Sequence, residues 1–357
     1  MQVYRLLCAT GVAILSSSLS CAFGADALTV VSYGGQYTAS QQKAQYEPFS
    51  LQSGVQIKSV DYNGGLAELV AQVRSGSVSW DVVDVELQDL ERGCADGLFE
   101  RIDLAALPAG ADGKSASDDF LSGALHPCGV GSVVWSNVIA VNDAAYSGAQ
   151  KPQTVQDFFN VKDFPGKRGL PKRANALLEW SLMADGVDPG SVYKVLSTSE
   201  GLDRAFRKLD TIKDEAIFWE TGAQMIQLLV DGEVVMSTAY NGRVQSAISD
   251  DGKPLRIVWD HQIWNADYYA IVRGSHAIDI ANRFIRYATG TEALAAQSKL
   301  IAYGPVRRSA EAFIDPKSSA SLPTATANLR NALAFDAKWW MDHGDAVNER
   351  YAAWLAR

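Results

Sequence analysis

The chain has 357 residues, of which 47% are hydrophobic and 20% are charged, an ordinary composition for a globular protein. This length is sufficient for two lobes with separate hydrophobic cores. The formal net charge of −9 argues against nucleic acid as a partner, because nucleic-acid binding requires clustered basic residues.

The first 25 residues have the pattern of a secretory signal peptide. Arg5 supplies the positive charge at the start, and residues 6–22 are apolar or small. Small residues before Ala25 are typical of a cleavage site, so we expect cleavage near Gly24 or Ala25. No second apolar run of membrane-spanning length follows, so we expect a soluble mature protein exported to the periplasm.

The first strand after this segment, "LTVVSY", leads through a glycine turn into a helix, "TASQQKAQYEPFS". Gly34 and Gly35 occupy the turn. A glycine turn that enters a helix exposes backbone N–H groups, which makes it a candidate anion or ligand site. The alternative is that the glycines serve only a backbone conformation with positive φ.

Short apolar strands then alternate with helical segments along the chain. The strands predicted after the first are "VQIKSVDY", "WDVVDV", "GSVVWSNVIAV", "VVMSTAY", "LRIVWD" and "DYYAIV". This alternation predicts an α/β fold with mainly parallel strands. Ligands of such sheets bind beyond the carboxyl ends of strands, so the candidate site loops are "SYGGQY", "VELQ", "YNGR" and "NADYY".

A second strand-to-helix turn lies in "PKRANALLEW". Lys172 and Arg173 lie where this helix is predicted to begin. A cation at a helix N-terminus opposes the helix dipole, so an arginine in this position is better explained if it contacts an anion. A solvated surface position is the alternative.

Two cysteines, Cys94 and Cys128, remain once the signal peptide is removed. An even number of cysteines in an oxidising compartment favours a disulfide between them. The alternative is an enzyme in which Cys94 or Cys128 is a catalytic nucleophile. No histidine lies in an obvious partner motif for a thiol, so we expect no catalytic residues.

The sequence predicts neither a metal site nor a cofactor. "SYGGQY" does not match a dinucleotide-binding fingerprint, and the chain has no GKS/T phosphate loop. The four histidines lack the spacing of metal ligands. They are His126, His261, His276 and His343.

Six stretches, taken in their order along the chain, resemble the solute-binding proteins of ABC importers for polyamines, the spermidine/putrescine-binding type with γ-aminobutyrate-binding relatives. These stretches span nearly the whole mature chain. They are "VVSYGGQY", "WDVVDVELQDLERGCADGLFERID", "DFPGKRGL", "QLLVDGEVVMSTAYNGR", "DYYAIVRGSHAIDIANRFIRYATGTEA" and "YGPVRRSA".

The resemblance implies a two-lobed periplasmic-binding-protein clamshell of type II, in which each lobe is a mainly parallel sheet flanked by helices and the ligand binds in the cleft. Lobe 1 is expected at residues 26–135 and 264–304, and lobe 2 at residues 136–263. Residues 305–357 are expected to form a C-terminal helical segment that packs on lobe 2. The implied partners are a small amine ligand and the permease and ATPase components in the membrane, with the protein itself a monomer.

The resemblance also implies which residues bind the ligand. Asp267 matches a carboxylate that holds an ammonium group, and Tyr240 matches an aromatic ring that clamps an alkyl chain. Trp219 is a further aromatic candidate, and core packing is the alternative for every aromatic residue in the set. The other matched positions are Tyr33, Gly35, Gln36, Tyr37, Glu86, Gln88, Trp264 and Tyr303.

Two departures from the polyamine pattern bear on the ligand. Polyamine binders carry acidic residues in the turn where this chain has Arg173 and Ala176, and commonly a small residue where it has Arg243. Arginine pairs a carboxylate bidentately. We therefore expect a ligand with one ammonium and one carboxylate, such as γ-aminobutyrate, with spermidine or putrescine as the alternative.

Overall fold

A computed structural model describes residues 26–146 and 150–357 of the chain. The expected signal peptide, residues 1–25, lies outside the described residues. Within them the chain forms a mixed α/β fold in which helices flank one large sheet. None of the helices in these two ranges combines the length and the apolarity that crossing a membrane requires.

Ten strands make up the sheet in the described part of the chain. They are β1 (Ala27–Ser32), β2 (Gln56–Asp61), β3 (Val82–Glu86), β4 (Leu125–His126), β5 (Gly129–Asn142), β6 (Arg168–Pro171), β7 (Ala216–Trp219), β8 (Met236–Tyr240), β9 (Leu255–Ile271) and β10 (Leu333–Ala334). Their order across the sheet is β2-β1-β3-β9-β5-β8-β6-β7, with β4 paired to β5 and β10 to β9.

The sheet is parallel towards both ends and antiparallel in the middle. β1 pairs in parallel with β2 and β3, and β6 does so with β7 and β8. β5 and β9 run antiparallel to each other and to their outer neighbours β8 and β3. The expected α/β fold is therefore confirmed, but "LRIVWD" and "DYYAIV" are parts of one strand of 17 residues. The stretch "NADYY" consequently lies within β9 and is not a loop.

Fifteen α-helices cover the sheet in the same ranges. They are α1 (Gly35–Gln41), α2 (Glu47–Ser53), α3 (Ala67–Ser75), α4 (Leu87–Ala95), α5 (Ala116–Asp119), α6 (Val155–Phe159), α7 (Leu177–Ala184), α8 (Val192–Leu196), α9 (Ser199–Asp210), α10 (Gly222–Val230), α11 (Asn241–Ser249), α12 (Ile278–Ala288), α13 (Thr291–Ser298), α14 (Pro316–Ala320) and α15 (Ala337–Leu355). The apolar spacing predicted in the sequence is clear in α12, which buries Ala281, Phe284, Ile285 and Ala288 against the sheet.

The buried apolar residues form separate cores on the two sides of the sheet's middle. One core contains β1, β3 and the end of β9, and the others contain the helices and strands between β5 and the start of β9. The change of core falls between Val134 and Ile139 in β5 and between Ile263 and Ala266 in β9. We propose that the two lobes meet along this line, near residues 135 and 264.

The pairing of β5 with β9 is irregular where both strands pass between the cores. Asn137 lies opposite Ile263 and Ile139 lies opposite Val258, so that Val138 alone spans four residues of β9. His261 within this bulge has a φ of 54°, which a residue with a side chain rarely adopts. Such a bulge bends a strand and weakens its ladder locally, which makes this segment the candidate hinge.

The C-terminal residues divide between the two cores, whereas the sequence led us to expect all of them on lobe 2. Val306 and Leu322 pack in the core of β1 and β3, and only the part that includes α15 packs in the core of α7. A fully buried ion pair between Arg307 and Asp119, with nitrogen and oxygen 3.0 Å apart, anchors the first part to lobe 1. Removing either partner would leave a buried charge unpaired, so this contact fixes the segment in place.

A disulfide joins Cys94 in α4 to Cys128 just before β5, with the two Cα atoms 5.9 Å apart. Cys128 belongs to the lobe 1 core, and Cys94 packs against this core. Potential ligand atoms of Cys94, His126 and Cys128 lie within 4.8 Å of one another. Because the two sulfur atoms are bonded to each other, neither is a thiolate, and this cluster is not a metal site.

We predict that the double variant Cys94→Ala/Cys128→Ala unfolds at a lower urea concentration than the wild type. Opening the loop of 34 residues should reduce the free energy of unfolding by about 3–4 kcal/mol, since the unfolded chain gains conformational freedom. Equilibrium unfolding without reductant measures the difference. Alkylation of the unreduced, denatured wild type should add no mass, and the addition of two alkyl groups would contradict the bond.

Candidate functional site

A cavity of about 250 Å³ opens between the two cores at the middle of the sheet. Seven of the residues predicted from the sequence line this cavity, and so do five residues outside the predicted set. The lining residues are Tyr33, Gly34, Tyr37, Tyr62, Asn63, Glu86, Trp135, Gly222, Tyr240, Arg243, Asp267 and Tyr303. The expected site loops therefore meet at one place, although they are distant in sequence.

The glycine turn after β1 shapes the cavity wall. Gly34 has a φ of 75°, and a Cβ added there would lie 2.9 Å from the carboxylate of Asp61, so a side chain at this position would strain the backbone and displace that carboxylate. The N–H of Gly34 donates to Oγ1 of Thr38 and is not free for an anion. Gly35 and Gln36 are exposed and do not line the cavity, contrary to our expectation. The turn therefore positions the two tyrosines beside it.

The buried carboxylate of Asp84 organises this wall from behind. It accepts hydrogen bonds from Ser32 Oγ at 3.1 Å, Tyr37 OH at 2.7 Å, Gln41 Nε2 at 2.6 Å and Ser132 Oγ at 3.2 Å. Burial raises the pKa of Asp84, and these four hydrogen bonds oppose the rise. The network fixes the ring of Tyr37 at the cavity surface.

Two further carboxylates face the cavity from neighbouring strands. Glu86 and Asp267 lie directly opposite each other in the antiparallel pair of β3 and β9, so their side chains are on one face of the sheet. Burial raises the pKa of Glu86 to about 7, although the charge of Arg173 lowers it. Burial and the charges of Asp84 and Glu86 raise the pKa of Asp267, while a 2.8 Å hydrogen bond from Trp135 Nε1 opposes the rise.

Aromatic rings form most of the remaining surface. Tyr33 contacts Tyr62 with ring centroids 5.1 Å apart, and Tyr37 contacts Tyr303 at 5.5 Å. Across the cavity, Trp135 and Tyr240 pack edge to face at 5.7 Å. These rings present both apolar surface for methylene groups and electron-rich faces for a cation.

Arg243 brings positive charge to the opposite wall. It lies in the first turn of α11, is exposed, and has no ion-pair partner within residues 26–146 and 150–357. Asn241, at the start of the same helix, accepts from the N–H of Ser136 at 2.9 Å and donates to the carbonyl of Ala302. This side chain ties α11 to β5 and to the loop of Tyr303, so the arginine is on a fixed support.

Three other predicted residues lie outside the cavity. Trp219 is buried behind Tyr240, with ring centroids 6.2 Å apart, and belongs to the core. Trp264 is three residues from Asp267 in β9 and so lies on the other face of the sheet, against the lobe 1 core. Arg173 lies beside the cavity, where its guanidinium carbon is 5.4 Å from the ring centroid of Tyr240.

The sequence led us to expect Arg173 at the start of a helix, but the structure does not place it there. α7 begins only at Leu177, and neighbouring Lys172 pairs with Glu220 at 2.6 Å on the surface. Gln88, in α4, lies 3.4 Å from the carboxylate of Glu86 and lines a separate groove shared with Arg173. These residues form the rim of the site.

Besides Gly34 of the candidate turn, four lining residues were not predicted. Tyr62 and Asn63 follow β2 at the same edge of the sheet as Tyr33. Because ligands of parallel sheets bind beyond the carboxyl ends of strands, these two residues could have been predicted from the sequence. Trp135 lies in the middle of β5, where a tryptophan is usually read as core. Gly222 lies at the start of α10 beside Arg243, and only the fold brings the two together.

The fold is that of a binding protein, and the cavity between the two lobes is its candidate ligand cleft. The cleft has carboxylates on one wall, a cation on the other and aromatic rings between them. The chain matches the family of bacterial extracellular solute-binding proteins over residues 44–327, and it belongs to this family. The description of the family locates the protein outside the cytoplasm and identifies it as a solute-binding protein.

Known proteins of the same kind extend the match to nearly the whole chain. The chain is 44% identical over 332 residues to the gamma-aminobutyric acid-binding protein of Pseudomonas aeruginosa, covering 93% of this chain and 92% of that protein. An ABC transporter substrate-binding protein from Bradyrhizobium japonicum USDA 110 superposes with a TM-score of 0.83 at 32% identity, over 92% of this chain and 99% of that one. The Atu4243-GABA receptor superposes with a TM-score of 0.80 at 32% identity, over 93% and 98%.

We predict that Asp267→Asn stabilises the unliganded protein increasingly as the pH rises. The folded pKa values of Asp267 and Glu86 are raised, so the native state binds more protons than the unfolded state above about pH 4, and its stability falls as both groups ionise towards pH 7 and beyond. Asparagine cannot ionise, so the variant lacks one of the two buried negative charges. Urea unfolding of wild type and variant at pH 5 and pH 8 measures the effect.

The matched control for this experiment is Asp345→Asn, at an exposed carboxylate of α15 outside the cavity. Its effect on stability should be small at both pH values. A stability difference between Asp267→Asn and wild type that stays constant or shrinks from pH 5 to pH 8 would show that ionisation of Asp267 does not destabilise the folded protein.

Proposed function

We propose that the protein is the solute-binding component of an ABC importer and captures a small zwitterionic ω-amino acid, such as γ-aminobutyrate, in the cleft. The observation that carries this proposal is the opposite charge of the two walls of one small cavity. The similarity to the gamma-aminobutyric acid-binding protein of Pseudomonas aeruginosa supports it.

The ammonium group of the ligand is assigned to the wall of Glu86 and Asp267. Two carboxylates directly opposite each other on neighbouring strands repel when both are ionised. An ammonium between them removes this repulsion and donates charge-assisted hydrogen bonds to both. The hydrogen bond from Trp135 leaves the second oxygen of Asp267 available for the ligand.

The carboxylate of the ligand is assigned to Arg243, with Arg173 as a second cation at the rim. Arg243 lines the cavity from lobe 2 and has no competing acidic partner in the described ranges. Its guanidinium can bind a carboxylate through two parallel hydrogen bonds. A ligand held at both ends would therefore bridge the two lobes.

The size of the cavity favours a short ligand. Its volume of about 250 Å³ is below the roughly 300–1,000 Å³ of sites for drug-sized ligands. The aromatic rings between the charged walls provide apolar contact for a few methylene groups.

Putrescine is the alternative ligand. Glu86 and Asp267 together can carry two negative charges, which would balance the two positive charges of a diamine.

We further propose that the protein acts as a monomer in the periplasm, without catalysis, and delivers its ligand to permease and ATPase components in the membrane. The two sulfur atoms considered as nucleophiles are joined in a disulfide, and neither cysteine lines the cavity. The bulge at His261 supports a hinge about which the lobes close on the ligand.

We predict that Asp267→Ala weakens binding of both γ-aminobutyrate and putrescine, whereas Arg243→Ala weakens binding of γ-aminobutyrate and spares putrescine. Loss of the buried Asp267 carboxylate from its charge pair costs about 2–5 kcal/mol, which is enough to abolish micromolar binding. Loss of the exposed Arg243 should cost less. Titration calorimetry of both ligands with wild type and variants measures this. Arg330→Ala, at an exposed arginine outside the cavity, is the control for loss of a positive charge.

Tight binding of putrescine by the wild type, with no binding of γ-aminobutyrate, would refute the proposed ligand and support the polyamine alternative. Equal loss of both ligands in Arg243→Ala would show that this arginine supports the cleft structure and does not recognise a carboxylate.

We also predict that ligand binding makes the protein more compact. If the lobes rotate about the bulge between β5 and β9, the radius of gyration should fall when the cleft closes. Small-angle X-ray scattering with and without saturating γ-aminobutyrate measures the change. Superimposable scattering curves from the free protein and from a complex verified by calorimetry would contradict closure.

A further inference from the structure

Gly222, the first residue of α10, lies directly against the side chain of Arg243. A Cβ added to Gly222 would be 2.6 Å from Cδ and 2.6 Å from Nε of the arginine, and 3.3 Å from Cζ. Real Cβ atoms are essentially never found closer than 3.0 Å to a heavy atom, so the arginine could not keep its position. The atoms in question are in the middle of the side chain, and moving them moves the whole guanidinium group.

The backbone does not explain this glycine. Its φ is not in the left-handed region, in contrast to Gly232 at the other end of the same helix, which has a φ of 75°. The helix is capped by Thr221, whose side chain accepts from the N–H of Gln224 at 3.2 Å. Alanine is the better helix former at such a position. The absence of a side chain at Gly222 is therefore explained by the space that Arg243 occupies.

Contacts of Gly222 place the arginine with respect to the cleft. Gly222 and Arg243 both line the cavity, on different helices of lobe 2. The middle of the Arg243 side chain occupies the space over Gly222. None of the ion pairs in the described residues involves Arg243, so this contact is the constraint observed on its side chain.

We propose that Gly222 is a positioning residue that determines the ligand class, because it leaves the space in which Arg243 extends into the cleft. This inference rests on the proposed function of Arg243. A methyl group at Gly222 displaces the arginine, removes recognition of a carboxylate and leaves recognition of an ammonium by the opposite wall. The same scaffold would then select amines without a carboxylate.

The test compares wild type, Gly222→Ala, Arg243→Ala and the double variant by titration calorimetry with γ-aminobutyrate and with putrescine. We expect Gly222→Ala to bind γ-aminobutyrate at least about tenfold more weakly than wild type, a loss of 1.4 kcal/mol or more, and to leave its response to putrescine unchanged. If Gly222 acts through Arg243, the double variant should bind γ-aminobutyrate no more weakly than Arg243→Ala.

The control is Gly344→Ala in α15, which makes the same change in a helix where the new Cβ meets only ordinary contact at 3.5 Å. It should bind both ligands as the wild type does. Wild-type binding of γ-aminobutyrate by Gly222→Ala would overturn the inference. So would additive losses in the double variant, because they would show that the two residues act independently.

Crystal structures of unliganded wild type and Gly222→Ala separate this inference from the proposed function. We expect the guanidinium of Arg243 to leave its position over residue 222 in the variant. If wild type binds no γ-aminobutyrate, the proposed ligand fails, but a displaced arginine still supports the positioning role. An unchanged arginine overturns that role whatever the ligand.

Discussion

The burial of Glu86 and Asp267 side by side is the constraint on which the rest of the site depends. The antiparallel register of β3 and β9 places these two carboxylates opposite each other at the floor of the cleft. Their burial makes the ionised pair unfavourable, and a third carboxylate, Asp84, lies behind them in its own hydrogen-bond network. The cleft is therefore arranged to favour a proton or a cation, and the ammonium group of the proposed ligand would satisfy that requirement with directional hydrogen bonds.

Two strands that line the cavity, β5 and β9, also connect the two lobes. They contribute Trp135 and Asp267 to the cavity, and a few residues away both strands pass into the second core at the bulge that contains His261. Ligand contacts and candidate hinge thus lie on the same two strands. A ligand whose ammonium binds the acidic wall of lobe 1 and whose carboxylate binds Arg243 of lobe 2 would contact both lobes at once. Such a ligand would bind the closed arrangement of the lobes more tightly and so favour it.

Much of the site could be predicted because strand ends are visible in a sequence. Tyr33, Glu86 and Tyr240 each follow or end an apolar strand, and the carboxyl ends of parallel strands converge at one edge of a sheet. Asp267 was found through family resemblance, although the loop expected around it is the interior of β9. We expected Trp264 in the cleft, and this prediction is wrong. Trp264 is three residues from Asp267 in β9, and an odd spacing in a strand puts the two side chains on opposite faces of the sheet.

Other features depend on contacts between distant parts of the chain and could not be predicted. Asp84 appears in the sequence as one polar residue of a buried strand, and its four hydrogen-bond donors come from three other segments. Gly222 appears as a common helix start until Arg243 is placed against it. The division of residues 305–357 between two cores depends on the ion pair of Arg307 with Asp119, which the spacing of these residues does not reveal.

The orientation of the ligand in the cleft is the central claim, and a crystal structure of the protein soaked or co-crystallised with γ-aminobutyrate tests it most directly. The account predicts the ammonium within hydrogen-bond distance of Asp267 and the carboxylate against the guanidinium of Arg243, with the methylene groups between the rings of Tyr37, Trp135 and Tyr240. A ligand bound in the reverse direction, or one whose carboxylate contacts neither Arg243 nor Arg173, would contradict it.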